Sequence, residues 1–296
     1  MRHDNDDNDG AHLEARVPLK AFENPQFLKS PDARPMRILS EYLEPASRLR
    51  RANIRDTIVF FGSARILPPE DAEAAADRLR AEVERQAEPD PELLERLRRA
   101  ERFQRLSSYY TDAVELSRLV TEWSKGLTGE RHFVVTTGGG GGVMQAVNHG
   151  ASIAGGKSVG FNISLPFEQA ANEYITRHLV FDFHYFFMRK FWFVYLAKAI
   201  VVLPGGFGTL DELMEVLTLV QTKKPRKTMP IVLYGSEYWK SVINFDELVE
   251  WGVVSPEDLD LFCFQDTPQG AFEYIRTRLE ELYLQGPTSL EQVKVT

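Results

Sequence analysis

Cysteine is nearly missing from this chain. Cys263 is the only one in 296 residues, so neither an intramolecular disulfide nor a cysteine-built zinc site can form, which suits a reducing cytoplasm. Long hydrophobic runs are missing too. The longest, Phe191 to Leu203, is interrupted by Lys198 and falls short of the roughly 20 apolar residues that span a bilayer. Where a secretory signal would carry a basic segment and an apolar core, the N-terminus carries Asp4, Asp6, Asp7 and Asp9. Positive charge is in deficit, with 35 Lys and Arg against 43 Asp and Glu and a formal net charge of −8. This argues against a general nucleic-acid surface, and any anion site must be local. The expectation from these features is a cytoplasmic protein with neither a membrane nor a nucleic acid as partner.

What is present is enough apolar material, 43% of residues, for one large α/β core. Residues 1–34 are polar, punctuated by proline and without apolar periodicity, and are expected to form a disordered or extended acidic arm. A single nucleotide-binding domain is expected over 35–286, followed by a tail at 287–296. A helix from Met36 to Ile54 leads to a strand at Thr57–Phe61. Residues 66–106 read as an inserted hairpin of two amphipathic helices broken at Glu88-Pro-Asp-Pro91. Helix Tyr109–Trp123 and strands Phe133–Thr137, Ser158–Asn162 and Leu179–Phe183 follow. Next come an aromatic-rich helix, His184–Lys198, and a fully apolar strand, Ala199–Leu203. The pattern continues with strand Pro230–Tyr234, helix Glu237–Trp251, strand Leu261–Phe264 and helix Thr267–Leu284. The basic run Lys223–Lys227 reads as a solvated loop. Strands alternating with helices predict a Rossmann-like, doubly wound, mostly parallel sheet with helices on both faces.

Chemistry concentrates where strands end. After Leu203 the chain reads Pro204-Gly-Gly-Phe-Gly-Thr-Leu-Asp-Glu212, and from Thr209 the apolar residues recur at helical spacing. A strand that turns through glycines into a helix start can hold a phosphate, because the first N–H groups of a helix lack intrahelical partners and the dipole is positive there. Gly205, Gly206 and Gly208 allow close approach to the backbone, and Thr209 offers a hydroxyl. A competing reading makes Thr209-Leu-Asp-Glu212 a capping box that occupies both end residues. Gly62-Ser63-Ala-Arg65 is a second strand-end turn, in which Arg65 is either an anion contact or an ordinary loop arginine. The third turn carries five glycines, Gly138 to Gly142. It fails as a dinucleotide fingerprint, since Val143 stands at the third glycine position when Gly138 and Gly140 hold the first two, and no Lys-Ser/Thr follows to make a P-loop. The strand after it lacks the acidic residue that holds a nicotinamide ribose, which leaves a mononucleotide or sugar phosphate.

Together these motifs resemble the LOG (Lonely Guy) family of nucleotide phosphoribohydrolases, whose members are often mislabelled lysine decarboxylases. Pro204 to Glu212 matches its PGGxGTxxE signature. Gly62-Ser-Ala-Arg65, Thr137-Gly-Gly-Gly with Gly142-Val-Met144, Asn162 to Gln169 and Met188-Arg-Lys190 also match, so the likeness spans about residues 57–283 and points to the larger, bacterial-type branch. The chain departs from it in the long segment between Arg65 and Tyr109, and at Gly141 and Gln145, where many members have Pro and Glu.

The resemblance implies a homodimer or higher oligomer that hydrolyses a purine, cytokinin-type riboside 5′-monophosphate to free base and ribose 5-phosphate, with no cofactor and no metal. By the same carry-over Arg189 and Glu212 are the catalytic pair. Gly62, Ser63, Arg65, Gly138, Gly139, Gly140, Met188, Lys190, Gly205, Gly206, Gly208 and Thr209 then line the substrate and phosphate site. Two alternatives stay open: a general AMP or nucleoside-monophosphate nucleosidase, and a non-catalytic carrier of a nucleotide or molybdenum cofactor. A pyridoxal-phosphate decarboxylase is set aside because neither Lys190 nor Lys198 has the context of a Schiff-base lysine.

Overall fold

The structure is a computed structural model that describes residues 19–129, 131–164, 170–224 and 227–284. The first 18 residues of the expected arm, the tail at 287–296 and residues 165–169 of the loop after Asn162 lie outside the described residues. The chain divides into two compact units, residues 1–43 and 44–296. In the first, Asn24 opens helix α1 (Pro25–Lys29) by accepting the N–H groups of Gln26 and Phe27. Arg37, on helix α2 (Arg34–Arg51), donates to the carbonyls of Leu28 and Ser30 at 2.7 Å each.

The second unit is built on seven parallel strands: β1 (Asp56–Phe61), β2 (Phe133–Thr137), β3 (Ser158–Ile163), β4 (Val180–Phe183), β5 (Ala197–Val202), β6 (Ile231–Tyr234) and β7 (Cys263–Gln265). Their order is β4-β3-β2-β1-β5-β6-β7. The chain thus steps outward from β1 to β4, returns to the middle, and steps outward the other way. The direction reverses between β1 and β5, which is where an open α/β sheet leaves a crevice at its carboxyl edge.

The helices are α3 (Pro69–Glu84), α4 (Pro91–Leu106), α5 (Ser108–Gly126), α6 (Val143–Ile153), α7 (Phe186–Leu196), α8 (Phe207–Gln221), α9 (Ser236–Val242), α10 (Phe245–Glu250) and α11 (Pro268–Leu279). All six residues of β1 are buried, as a strand covered on both faces requires. Ile58 and Phe60 join a core with Leu116 and Val120 of α5, Ala146 and Val147 of α6, and Ile275 of α11. Side chains alternate across a strand, so Phe61 points the other way. There its ring meets Phe193 of α7 edge-on at 5.0 Å, and Phe193 also meets Phe161 of β3 at 5.5 Å. The expected hairpin is present as α3 and α4, clasped by Arg80, whose guanidinium bonds Asp77, Glu101 and Gln104. No helix among the described residues is long and apolar enough to cross a membrane.

Three expectations are corrected. The helix expected over Glu237–Trp251 is two helices, because Ile243 is extended and the Asn244 side chain accepts the N–H of Glu247, restarting the coil as α10. The last strand starts at Cys263 rather than Leu261, since Pro256–Leu261 winds into a 3₁₀ turn whose start is closed by Asp258 accepting the Ser255 N–H. Lys227 is not a solvated loop residue, although Lys223 and Lys224 are exposed and 225–226 lie outside the described residues. Its ammonium donates to the carbonyls of Val194 and Tyr195 at 2.7 and 2.8 Å, capping the C-terminal end of α7. Burial pushes it down to about 7, helped by the nearby Lys198 charge.

Helices α5 and α6 touch through Gly150, where a Cβ would lie 2.1 Å from the Val114 carbonyl oxygen. Gly150→Ala should therefore lower stability by about 1–3 kcal/mol through overpacking. Gly126→Ala, with no atom within 4 Å of the new carbon, should be neutral or stabilising by up to about 1 kcal/mol. Urea midpoints check both, and equal effects at the two positions would refute the close crossing.

Candidate active site

Strands β2, β1 and β5 stand side by side, and each runs into one of the three glycine turns. A run of backbone hydrogen bonds ties these turns together. Leu203 N–H donates to the Phe61 carbonyl at 2.8 Å, Ser63 N–H to the Pro204 carbonyl at 3.0 Å, and Val143 N–H to the Ser63 carbonyl at 3.0 Å. The turns therefore meet at one place rather than merely sharing an edge. Glycine is obligatory at Gly142, whose φ is +64° and whose Cβ would sit 2.3 Å from the Ser63 carbonyl oxygen. Arg65 is exposed on its turn, and its N–H closes back on Ser63 Oγ at 3.1 Å.

Gly138, Gly139 and Gly140 are held from below and from outside. Thr137 Oγ1 accepts the Gly139 N–H at 3.0 Å and donates to Asn148 Oδ1 at 2.8 Å. Asn172 Nδ2 lies 3.1 and 2.9 Å from the carbonyls of Gly139 and Gly140. Sequence reading misses Asn148 and Asn172 as supports of this turn. Nothing in their spacing announces them, since Asn172 reaches back across 33 residues to Gly139.

The turn after β5 corrects the capping-box reading. Helix α8 opens at Phe207 with Gly206 as its cap residue, two residues before Thr209. Leu210 N–H makes the first helical bond, to Gly206 at 3.0 Å, so the N–H groups of Phe207, Gly208 and Thr209 precede the helical ladder. Tyr238 donates to the Gly205 carbonyl at 2.5 Å and fixes the turn from the side. A Cβ added at Gly206 or Gly208 meets nothing within 4 Å, so the backbone is open to a ligand at both. Thr209 is buried.

Arg189 and Lys190, which could have been ordinary surface cations, lie on α7 with side chains only 16% exposed. Met188 beside them is buried. They face Glu212 on α8, whose side chain is 7% exposed. Arg189 Nη2 stands 3.7 Å from Glu212 Oε1, and Lys190 Nζ stands 3.6 Å from Oε2, so each carboxylate oxygen looks at one cation. Lys190 also reaches Asp211 at 2.8 Å and Glu215 at 2.7 Å. Burial pushes the Glu212 carboxyl up to about 7; the Lys190 and Arg189 charges pull it back, while Glu215 and Asp211 add to the rise. Burial also lowers Arg189 from its usual value, against the opposing charges of Glu212 and Asp211. Its guanidinium lies over the rings of Phe186 and Phe193, and its buried Nε makes no hydrogen bond. The site thus joins an anion-ready backbone surface to a buried carboxylate that changes charge near neutrality, about 8 Å further along α8 at 1.5 Å per residue.

A family model described as "Possible lysine decarboxylase" matches residues 144–275. A cytokinin riboside 5′-monophosphate phosphoribohydrolase of Arabidopsis thaliana is 36% identical over 134 residues, 43% of this chain and 58% of that protein. A rice protein (Oryza sativa subsp. japonica), named a probable enzyme of the same kind, is 31% identical over 194 residues, 64% of this chain and 72% of its own. The chain belongs to the LOG family. Among solved structures, the molybdenum cofactor binding protein of Rippkaea orientalis aligns with 76% of this chain and 98% of its own, at 17% identity and a TM-score of 0.42. That likeness is too distant to bear on ligands. The matched segment of this LOG-family chain contains both Arg189 and Glu212.

The folded chain holds a proton on Glu212 up to about 7, whereas the unfolded chain releases it near 4.5. Between those values the native state binds more protons, so this group's contribution to stability is present at low pH and is lost as pH rises. Glu212→Gln stays neutral throughout. Its stability relative to the parent should rise from pH 5 to pH 8 by on the order of 3 kcal/mol. Denaturant titrations at the two pH values measure this, and a constant difference would contradict it.

Proposed function

We propose that this chain hydrolyses the N-glycosidic bond of a purine riboside 5′-monophosphate of cytokinin type, releasing free base and ribose 5-phosphate. The observation that carries this reading is the buried Glu212 carboxylate, flanked by a cation at each oxygen and carried on α8, the helix that opens at one of three joined glycine turns. The turns supply backbone N–H groups to the phosphate, which fixes the ribose over the carboxylate. As the bond between the sugar and the base breaks, its electron pair leaves with the base and the sugar carbon becomes cationic. An ionised Glu212 stabilises that cation, as a carboxylate does in glycoside hydrolysis, and takes a proton from the water that adds to the carbon; that proton ends on the departed base, which leaves Glu212 ionised again. Arg189 orients the ribose and offsets charge on the departing base. Hydrolysis of this bond needs no redox or group-transfer cofactor.

The names borne by the relatives support the reaction class, and the paired cations favour turnover over carriage: a simple nucleotide carrier has no use for a carboxylate poised to ionise near neutrality. We also propose that the protein works as a homo-oligomer. Phe187 and Tyr195, on one side of α7, are 51% and 45% exposed, large apolar surface for a single copy to leave in water.

Incubation with AMP and with isopentenyladenosine monophosphate, followed by detection of free base, tests the chemistry. Base release should rise with pH through about 7, and Glu212→Gln should reduce it by about 10² or more while nucleotide binding survives. Binding without release in the parent protein would favour a carrier, and unchanged turnover in the variant would remove Glu212 from the mechanism. Light scattering should give a mass of at least two chains; a single-chain mass would overturn the oligomer.

A further inference from the structure

We propose that Lys190 is a positioning residue rather than a phosphate ligand: it locks Glu212 in place from the side opposite Arg189 and neutralises the two carboxylates that crowd it. This assignment rests on the reading of Glu212 as the reacting carboxylate, and it changes the part that resemblance to the family gives Lys190.

The geometry carries it. An ammonium group has three donors. Two of them reach Asp211 (2.8 Å) and Glu215 (2.7 Å), and the nitrogen stands 3.6 Å from Glu212 Oε2, an ion pair rather than a hydrogen bond. Its single positive charge is thus shared among three carboxylates, which leaves no net charge there for a phosphate. Asp211, Glu212 and Glu215 occupy adjacent positions on α8, and without a cation between them three carboxylates on one helical face would repel. The charged groups facing Glu212 are Arg189 and Lys190 from α7 and Asp211 and Glu215 from its own helix. Burial lowers Lys190, but its hydrogen bonds to Asp211 and Glu215 and the charges around it outweigh that loss, so the ammonium stays charged. Lys190 thereby leaves Arg189, which stands at an ion-pair distance of 3.7 Å from Glu212, as the cation for the substrate.

The consequence is a division of labour that a phosphate-binding lysine would not produce. Removing Lys190 takes away one opposing charge and uncovers two like charges, so Glu212 holds its proton to higher pH. Removing Glu215 does the opposite.

The titration of Glu212 can be followed directly by the carboxyl carbon signal in protein labelled with ¹³C-glutamate, assigned by its loss in Glu212→Gln. Lys190→Met should move the midpoint upward by about 1 pH unit or more. Lys190→Arg should restore it, and Glu215→Gln should move it downward, which keeps the test alive should the methionine variant fail to fold. In parallel, the acidic limb of kcat for base release from AMP should follow the same shifts while KM stays within about threefold. An unmoved Glu212 midpoint overturns the proposal, as does a rise in KM of about tenfold with the acidic limb in place. Should the parent release no base at all, the proposed reaction falls, while the carbon titration still decides what Lys190 does to Glu212.

Discussion

A carboxylate that is nearly excluded from water yet expected to ionise is the constraint to which the rest of the second unit answers. An isolated charge so placed would keep its proton, and Glu212 is drawn part of the way toward that outcome. Two cations from a neighbouring helix hold it back from going further. Their placement requires α7 and α8 to lie side by side with matched registers. That in turn needs α7 to be anchored, as it is by Phe193 against Phe61 and Phe161 and, at its C-terminal end, by the Lys227 ammonium. Half-buried Lys227 is thus linked to Glu212 through the rigidity of one helix rather than by contact.

The order of strands supplies the other half of the arrangement. Because the chain reverses its direction of travel between β1 and β5, the connections after them lead to opposite faces of the sheet and leave the carboxyl edge between them uncovered. The backbone bonds from Ser63 to Pro204 and from Val143 to Ser63 then make three separate turns into one surface. Gly142 is a hinge point of that surface: a side chain there would push against the carbonyl of Ser63, which itself accepts the bond from Val143.

Much of this was legible in the order of residues, and the parts that were not share a physical cause. Buried parallel strands are short apolar runs, and Thr57–Phe61 and Ala199–Leu203 announce themselves as such. Glycines placed directly after them announce turns. Contacts between distant segments leave no such trace. Asn172 supports the turn after β2 from a loop, and Lys227 looks like one more member of a basic run until its ammonium is seen on the end of α7. Thr209 misleads for a different reason. The pattern Thr-x-x-Glu is a capping box only when threonine stands outside the helix, and here the absence of side chains at Gly206 and Gly208 lets the coil begin earlier, at Phe207.

The charge arrangement bears on how an anionic substrate could be held at all in a chain with a net charge of −8. At the site, two cations face Asp211, Glu212 and Glu215, so side-chain charge there offers a phosphate nothing net. Attraction must come from the backbone: the N–H groups at the start of α8, where the helix dipole is positive, and the open approach at Gly206 and Gly208. Dipoles of fixed orientation hold a phosphate without competing with it for a proton. In the proposed reaction Lys190 then stays committed to the carboxylates and Arg189 to Glu212 and the departing base, and neither is drawn away to the phosphate.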